Sequence, residues 1–291
     1  MSAAPRDVLK SWLLSRLQEA AADWLIDRAT AIASGDRKAL FLSFGLAVRK
    51  TGKAELALSG EELAAAEQAR PGWDPANWSI DQAARVFLVL HYPSTDADDF
   101  RKTLDQMFAT GEVHELVALY QALPLFPHPE MFVERAAEGI RSNIRAVFLA
   151  VSHNNPFPAE QFSDDQWNQM VLKALFIGVT LDPIVGLDRR ANAELARILL
   201  DYAHERWAAK RPVSPELWRC VGPATNSEGI ADLRKVLDSE LATDRDAALL
   251  ALSASSLPAA QTALTEENLA AITDPAARAT RWHQLATNLT N

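Results

Sequence analysis

Apolar residues recur at three- and four-residue spacing along nearly the whole chain, the period that stacks side chains on one face of an α-helix. Leu9, Leu13, Leu14, Leu17 and Ala21 begin the pattern, and Trp24, Leu25 and Ala29 continue a similar face toward Gly35. This predicts a first helix with room for one break. Asp36 caps a run holding Leu40, Phe41, Phe44 and Val48, which stops before the turn-forming Lys50-Thr51-Gly52-Lys53. Ser59 heads a helix over residues 61–70. The segment Pro71-Gly72-Trp73-Asp74-Pro75 then forces a loop, because two prolines and a glycine deny helix continuation. Ser79-Ile80-Asp81-Gln82 has the capping-box pattern ahead of Val86, Phe87, Val89 and Leu90. Further helices are predicted over residues 96–109, 112–123, 129–142 and 143–153, from Asp165 onward, and over 191–210. The one strand-like alternation, Ala54-Glu55-Leu56-Ala57-Leu58, has no second candidate nearby, so no sheet is expected.

Short connections make successive helices antiparallel neighbours. The expected architecture is therefore all-α, a single all-helical domain over residues 1–291 built as an α-solenoid-like stack of antiparallel helical hairpins. Beyond Pro223, a helix marked by Ile230, Leu233, Val236 and Leu237 is followed by Thr243-Asp244-Arg245-Asp246 opening another with Ala247, Leu250 and Leu252. That pair looks HEAT-like, although no fixed period runs through the chain. Helices around residues 258–264 and 275–285 finish the stack.

Composition narrows the partners. Across 291 residues, 48% hydrophobic and 23% charged residues are ordinary for a globular protein. The net charge of −9 and the absence of a dense Lys/Arg run oppose nucleic acid and anionic membrane surfaces. Cys220 is the only cysteine, so no internal disulfide forms and a reducing, cytoplasmic setting is expected. Arg16 and Gln18 interrupt the apolar residues near the start, so the core of a signal peptide is missing. The strongest apolar run, residues 170–179, contains Lys173 and is short for a bilayer span. No integral membrane segment is expected.

Chemistry-bearing residues crowd into residues 153–222. The helix from Asp165 carries Met170, Val171, Leu172, Ala174, Leu175, Phe176 and Ile177, apolar on almost every side, which predicts a central position. Lys173 within it must snorkel out or meet an acid. On the helix over 191–210, Leu195, Ile198, Leu199 and Tyr202 form the apolar stripe, and Arg197, Asp201, His204 and Glu205 flank it. Asp201 or Glu205 is expected to face Lys173, with His204 near both; the plainer alternative is a solvated flank stitched by Arg197 and Asp201. Asp201-x-x-His204 places two potential ligands on one face, but Glu130, Glu134 and Glu138 have no suitably placed histidine to complete a di-metal bundle. Neither a metal site nor a cofactor is expected.

Asp96-Ala97-Asp98-Asp99 and Asp164-Asp165 are similar to the acidic strings of helical terpenoid enzymes, yet both sit at predicted helix starts, where acids complement the helix dipole. There is no G-x-S-x-G, P-loop, G-x-G-x-x-G or H-E-x-x-H, and no catalytic residue is assigned. Cys220, beside Leu217, Trp218 and Val221, reads as a buried thiol. Trp167, Trp207, Trp218 and Tyr202 either line a pocket for a planar or isoprenoid ligand or serve as packing. Arg206 and Arg219 beside them suit a carboxylate or phosphate. The candidate ligand-binding set is thus Asn155, Trp167, Asn168, Lys173, Asp201, Tyr202, His204, Glu205, Arg206, Trp207, Trp218 and Arg219.

Residues 167–176 (WNQMVLKALF), 201–207 (DYAHERW) and 215–219 (PELWR) resemble the EboA family, and the likeness extends over most of the chain. The resemblance implies membership of a bacterial ebo gene cluster, alongside an UbiA-like prenyltransferase, a TatD-like hydrolase and a sugar-phosphate-cyclase-like protein. It implies a role in making or moving a secondary metabolite, including export of a scytonemin precursor, and transfers no catalytic residue. The expectation is a non-catalytic binding or scaffold component whose partners are a small-molecule metabolite or other proteins of the cluster. The alternative is an enzyme acting on an isoprenoid or phosphorylated small molecule.

Overall fold

The computed structural model describes residues 3–264 and 274–290, and among them every regular element is a helix. By its contacts the chain divides into two compact units, Met1–Phe162 and Ser163–Asn291, each described by itself. The first contains α1 (Pro5–Arg16), α2 (Glu19–Ala33), α3 (Arg37–Thr51), α4 (Gly60–Ala69), α5 (Ile80–Val89), α6 (Ala97–Thr110), α7 (Val113–Ala122), α8 (Val133–Arg141), α9 (Arg145–Ser152) and α10 (Phe157–Gln161). The second contains α11 (Asp164–Phe176), α12 (Ala193–Ala208), α13 (Leu217–Val221), α14 (Ser227–Leu237), α15 (Ala242–Ala254), α16 (Pro258–Ala263) and α17 (Pro275–Thr290). Among the described residues no helix is long and apolar enough to cross a membrane.

The predicted start signals operate as read. Asp36 accepts from the Ala39 amide at 2.9 Å. The Ser59 amide donates to Glu62 at 2.8 Å while the Glu62 amide donates to Ser59 Oγ. The Ser79 amide donates to Gln82 Oε1 at 2.8 Å. Each arrangement satisfies amides that a helix start otherwise leaves open. The first predicted helix breaks at Leu17 and Gln18, which are extended. Arg16 at the break pairs with Glu62 at 2.7 Å. The region 129–142 opens as a 3₁₀ turn, Pro129–Phe132, before α8. The strand-like alternation does find a partner, through Leu56 N to Trp78 O (2.8 Å) and Ile80 N to Ala54 O (2.9 Å) around one antiparallel bridge between Glu55 and Ser79.

The first unit is organised on α5, whose residues are buried except Gln82, because α1, α2, α3 and α7 all pack against it. Arg85 on α5 is fully buried; it pairs with Asp81 one turn earlier and its Nε donates to Phe44 O at 3.1 Å. In the second unit the predicted pair α14 and α15 packs together, and α13 and α17 also lie on α15. One expectation needs correcting: α11 is not buried on all sides. Trp167, Asn168, Met170, Val171, Ala174 and Leu175 form its buried face, whereas Phe176 is 76% exposed, because it falls with Gln169 and Lys173 on the face turned away from that packing.

Gly222, directly after α13, allows a close backbone approach: a Cβ built there would lie 2.2 Å from the Ala251 backbone oxygen of α15. Gly222→Ala is expected to force the two helices apart at a cost of about 1–3 kcal/mol. A thermal melt of the variant equal to that of the parent would contradict this contact.

Candidate functional site

Helices α11 and α12 pack against each other as expected, but the ionic groups on them are directed elsewhere. Asp201 is held by Arg197 at 2.7 Å in an exposed pair, the solvated-flank arrangement. His204 Nε2 lies 2.6 Å from Asp232 Oδ2 on α14, and the other oxygen of that buried carboxylate takes Lys235 Nζ at 2.8 Å. Glu205 is exposed, and Lys173 is half-buried, with burial pushing its pKa down. Cys220 is fully buried, and its burial raises the thiol to about 12.

The rings form packing ladders. His204 and Trp207 have centroids 5.7 Å apart, and Trp207 stacks on Trp218 at 5.7 Å and 28°. Trp167 lies buried beneath the Arg190 guanidinium at 4.9 Å. Asn168 exchanges amide hydrogen bonds with Asn192 (2.9 and 3.3 Å), whose Oδ1 caps α12 at Leu195. Arg206 donates twice to Pro212 O, at 2.9 and 2.8 Å, and lies over Tyr202.

The segment between α11 and α12 is clamped from α13. Arg219 grips both oxygens of Asp188 (2.7 and 2.8 Å) and Asp182 Oδ1 (2.8 Å). Burial opposes its charge, but the bonds and fields of Asp188 and Asp182 outweigh burial and raise its pKa. Glu216 Oε1 accepts from the amides of Leu181 and Asp182, both at 2.9 Å. Burial raises the Glu216 pKa against the lowering effect of those bonds. Glu216, Tyr202, Arg206, Leu175, Val213 and Leu289 border a recess of about 380 Å³.

A second recess, of about 300 Å³, lies wholly in the first unit. Asp74, Asn77 and Trp78 come from the Pro-rich loop before α5, Val117 and Gln121 from α7, and Ala146, Leu149, Ala150, His153, Asn154 and Asn155 from α9 and its exit. Asn155 holds this exit in place. Its Nδ2 donates to Tyr120 O (3.0 Å) and Ala150 O (2.9 Å), and its Oδ1 accepts from the Phe157 amide (3.0 Å). Next to Tyr120, the Gln121 Oε1 is buried with no hydrogen-bond partner. Of the candidate set, Asn155 borders this cleft, Tyr202 and Arg206 border the other recess, and Arg219 borders a smaller one with Asp188 and Trp282. The sequence reading missed Asp74, Asn77, Trp78 and Gln121, because the loop registered only as a helix breaker and Gln121 as one more polar helix position.

Both acidic strings are structural: Asp96 caps α6 through the Asp98 and Asp99 amides, Asp99 binds Arg37 and the Tyr92 hydroxyl, and Asp164 binds Arg190. Among the described residues no group of three or more His, Cys, Asp or Glu side chains is placed to hold a metal ion.

Glu216→Gln keeps the accepting oxygen and removes the buried charge, whereas Glu216→Ala strands two amides at about 2 kcal/mol or more. A raised carboxyl pKa means the folded state holds its proton longer, so the charge lowers stability as pH climbs above the ordinary carboxylate value. The Gln variant is therefore expected to match the parent in acid and equal or exceed it at neutral pH. Denaturant melts across that range, with Gln falling as far as Ala, would refute the assignment.

Comparison with protein families matches residues 5–222 to the model described as "Metabolite traffic protein EboA". No curated protein and no solved structure matches the chain. With that match covering well over half of its length, the chain belongs to the EboA family.

Proposed function

We propose that this EboA-family chain is a non-catalytic binding component of metabolite traffic, and that it holds a small molecule in the first-unit cleft. The observation that carries this reading is the buried, unpartnered Gln121 Oε1 at the wall of a 300 Å³ recess. A buried acceptor without a partner costs about 1–3 kcal/mol, and a ligand donor in the cleft would recover that loss once the Gln121 side chain turns toward it. The rigid exit held by Asn155 supports it further, since a preformed wall spares a ligand the ordering cost of binding. The inert environment of Cys220 and the absence of a metal-ligand cluster among the described residues leave a binding role as the simplest chemistry.

The solenoid-like reading draws support from α3, α5, α7 and α9, each of which packs on the next but one, and the HEAT-like reading from the α14–α15 pair. Such a body offers further surface to proteins of the same cluster, and its lone reduced thiol suits the cytoplasm. A second reading places a ligand at the recess of Tyr202, Arg206 and Glu216, favoured by the buried carboxyl and the guanidinium at its edge.

Ala146 is exposed on α9 and borders the cleft, so Ala146→Trp is expected to fill the recess without disturbing the core. Native mass spectrometry of the purified parent should show a bound small molecule that this variant lacks. Retention of that molecule by Ala146→Trp, with its loss from Tyr202→Ala, would move the site to the second recess.

A further inference from the structure

The electrostatics of the first-unit cleft select its ligand, an inference that rests on the binding role proposed above. Three features give the cleft a negative potential. Asp74 contributes a carboxylate, and no lysine or arginine is among the described lining residues. Asp74 Oδ1 accepts from the Ala76 amide at 2.9 Å, which fixes the carboxylate in a turn at the rim. The third feature is the backbone: Gln121 lies in the last turn of α7, and Leu149, Ala150 and His153 lie in the last turn and exit of α9. Two helix C-termini therefore end at the same recess, each with a partial negative charge of roughly half an electron.

Hydrogen bonding points the same way. Both Asn155 Nδ2 protons are already given to Tyr120 O and Ala150 O, so this amide has no donor left for a ligand anion. Gln121 Oε1 is an acceptor still waiting for a donor. The remaining wall combines Trp78, Val117, Ala146, Leu149 and Ala150, an aromatic and aliphatic surface suited to a flat apolar body, with the polar side chains of Asn77, His153 and Asn154. An anion entering here would lose water and meet Asp74, with no lysine or arginine on the described wall to offset it.

We infer that the cleft binds a flat, apolar molecule bearing a protonated or hydrogen-rich nitrogen, and that it rejects carboxylates and phosphates. The nitrogen sits at Gln121 Oε1 and the Asp74 side, and the ring lies against Trp78 and Leu149.

Benzylamine and phenylurea, against benzoate and phenyl phosphate, test this by heteronuclear NMR titration of the full chain, with Ala146→Trp as the blocked control. The first two should bind in the millimolar range, sensitive to Ala146→Trp, and the two anions at least about tenfold more weakly. Gln121→Leu should weaken phenylurea about three- to tenfold, the loss of one hydrogen bond. Asp74→Asn, which keeps an oxygen for the Ala76 amide, should weaken benzylamine about two- to fivefold and leave phenylurea little changed. Anions that bind as tightly as benzylamine in a manner blocked by Ala146→Trp would overturn the ligand class and leave the binding cleft standing. No blocked binding by any of the four probes would overturn both.

Discussion

One side-chain amide, that of Asn155, closes three backbone hydrogen bonds where α9 ends, and the first-unit cleft takes its shape from that closure. The carbonyls of Tyr120 and Ala150 lie near two helix C-termini, where intrahelical donors run out. Tyr120 O keeps the Leu123 amide, but without Asn155 the Ala150 carbonyl would lose its donor just where the chain turns at Asn154, whose φ of 52° is left-handed, toward Phe157. Asparagine is among the few residues other than glycine that take this conformation readily, so residues 153–156 serve both the turn and the wall.

The two recesses differ in how far the protein satisfies its own polar groups. Around the second, the charged groups have internal partners: Arg206 is turned onto Pro212 and Glu216 onto two amides. Saturated groups of this kind rigidify a fold and offer little to a guest. Around the first, Gln121 Oε1 stays unmet beside an acidic rim. That open hydrogen-bonding capacity in a preformed recess is what the proposed ligand site rests on.

Helix content, caps and loops were legible because they depend on neighbours in sequence. Asp36, Ser59 and Ser79 cap as their spacing indicates, and Pro71 to Pro75 interrupt. Cys220 was also readable as a buried thiol from its apolar neighbours. The central burial expected of α11 failed at Phe176, since composition around a helix does not say where its packing partners stop. The expected facing of Asp201 toward Lys173 gave way to Arg197, four residues away on the same helix, which reaches the carboxylate without any tertiary contact.

By itself, the sequence determined an acidic, all-helical EboA-family chain, because periodicity, capping and family pattern are local or statistical properties of the string. Only the tertiary structure decided which polar residues are spent and which are open. Asp74, Gln121 and Asn155 lie far apart along the chain, and nothing in their local spacing brings them to one cleft. They meet there because α5, α7 and α9 pack side by side, and hydrogen-bond satisfaction is settled by that packing in three dimensions.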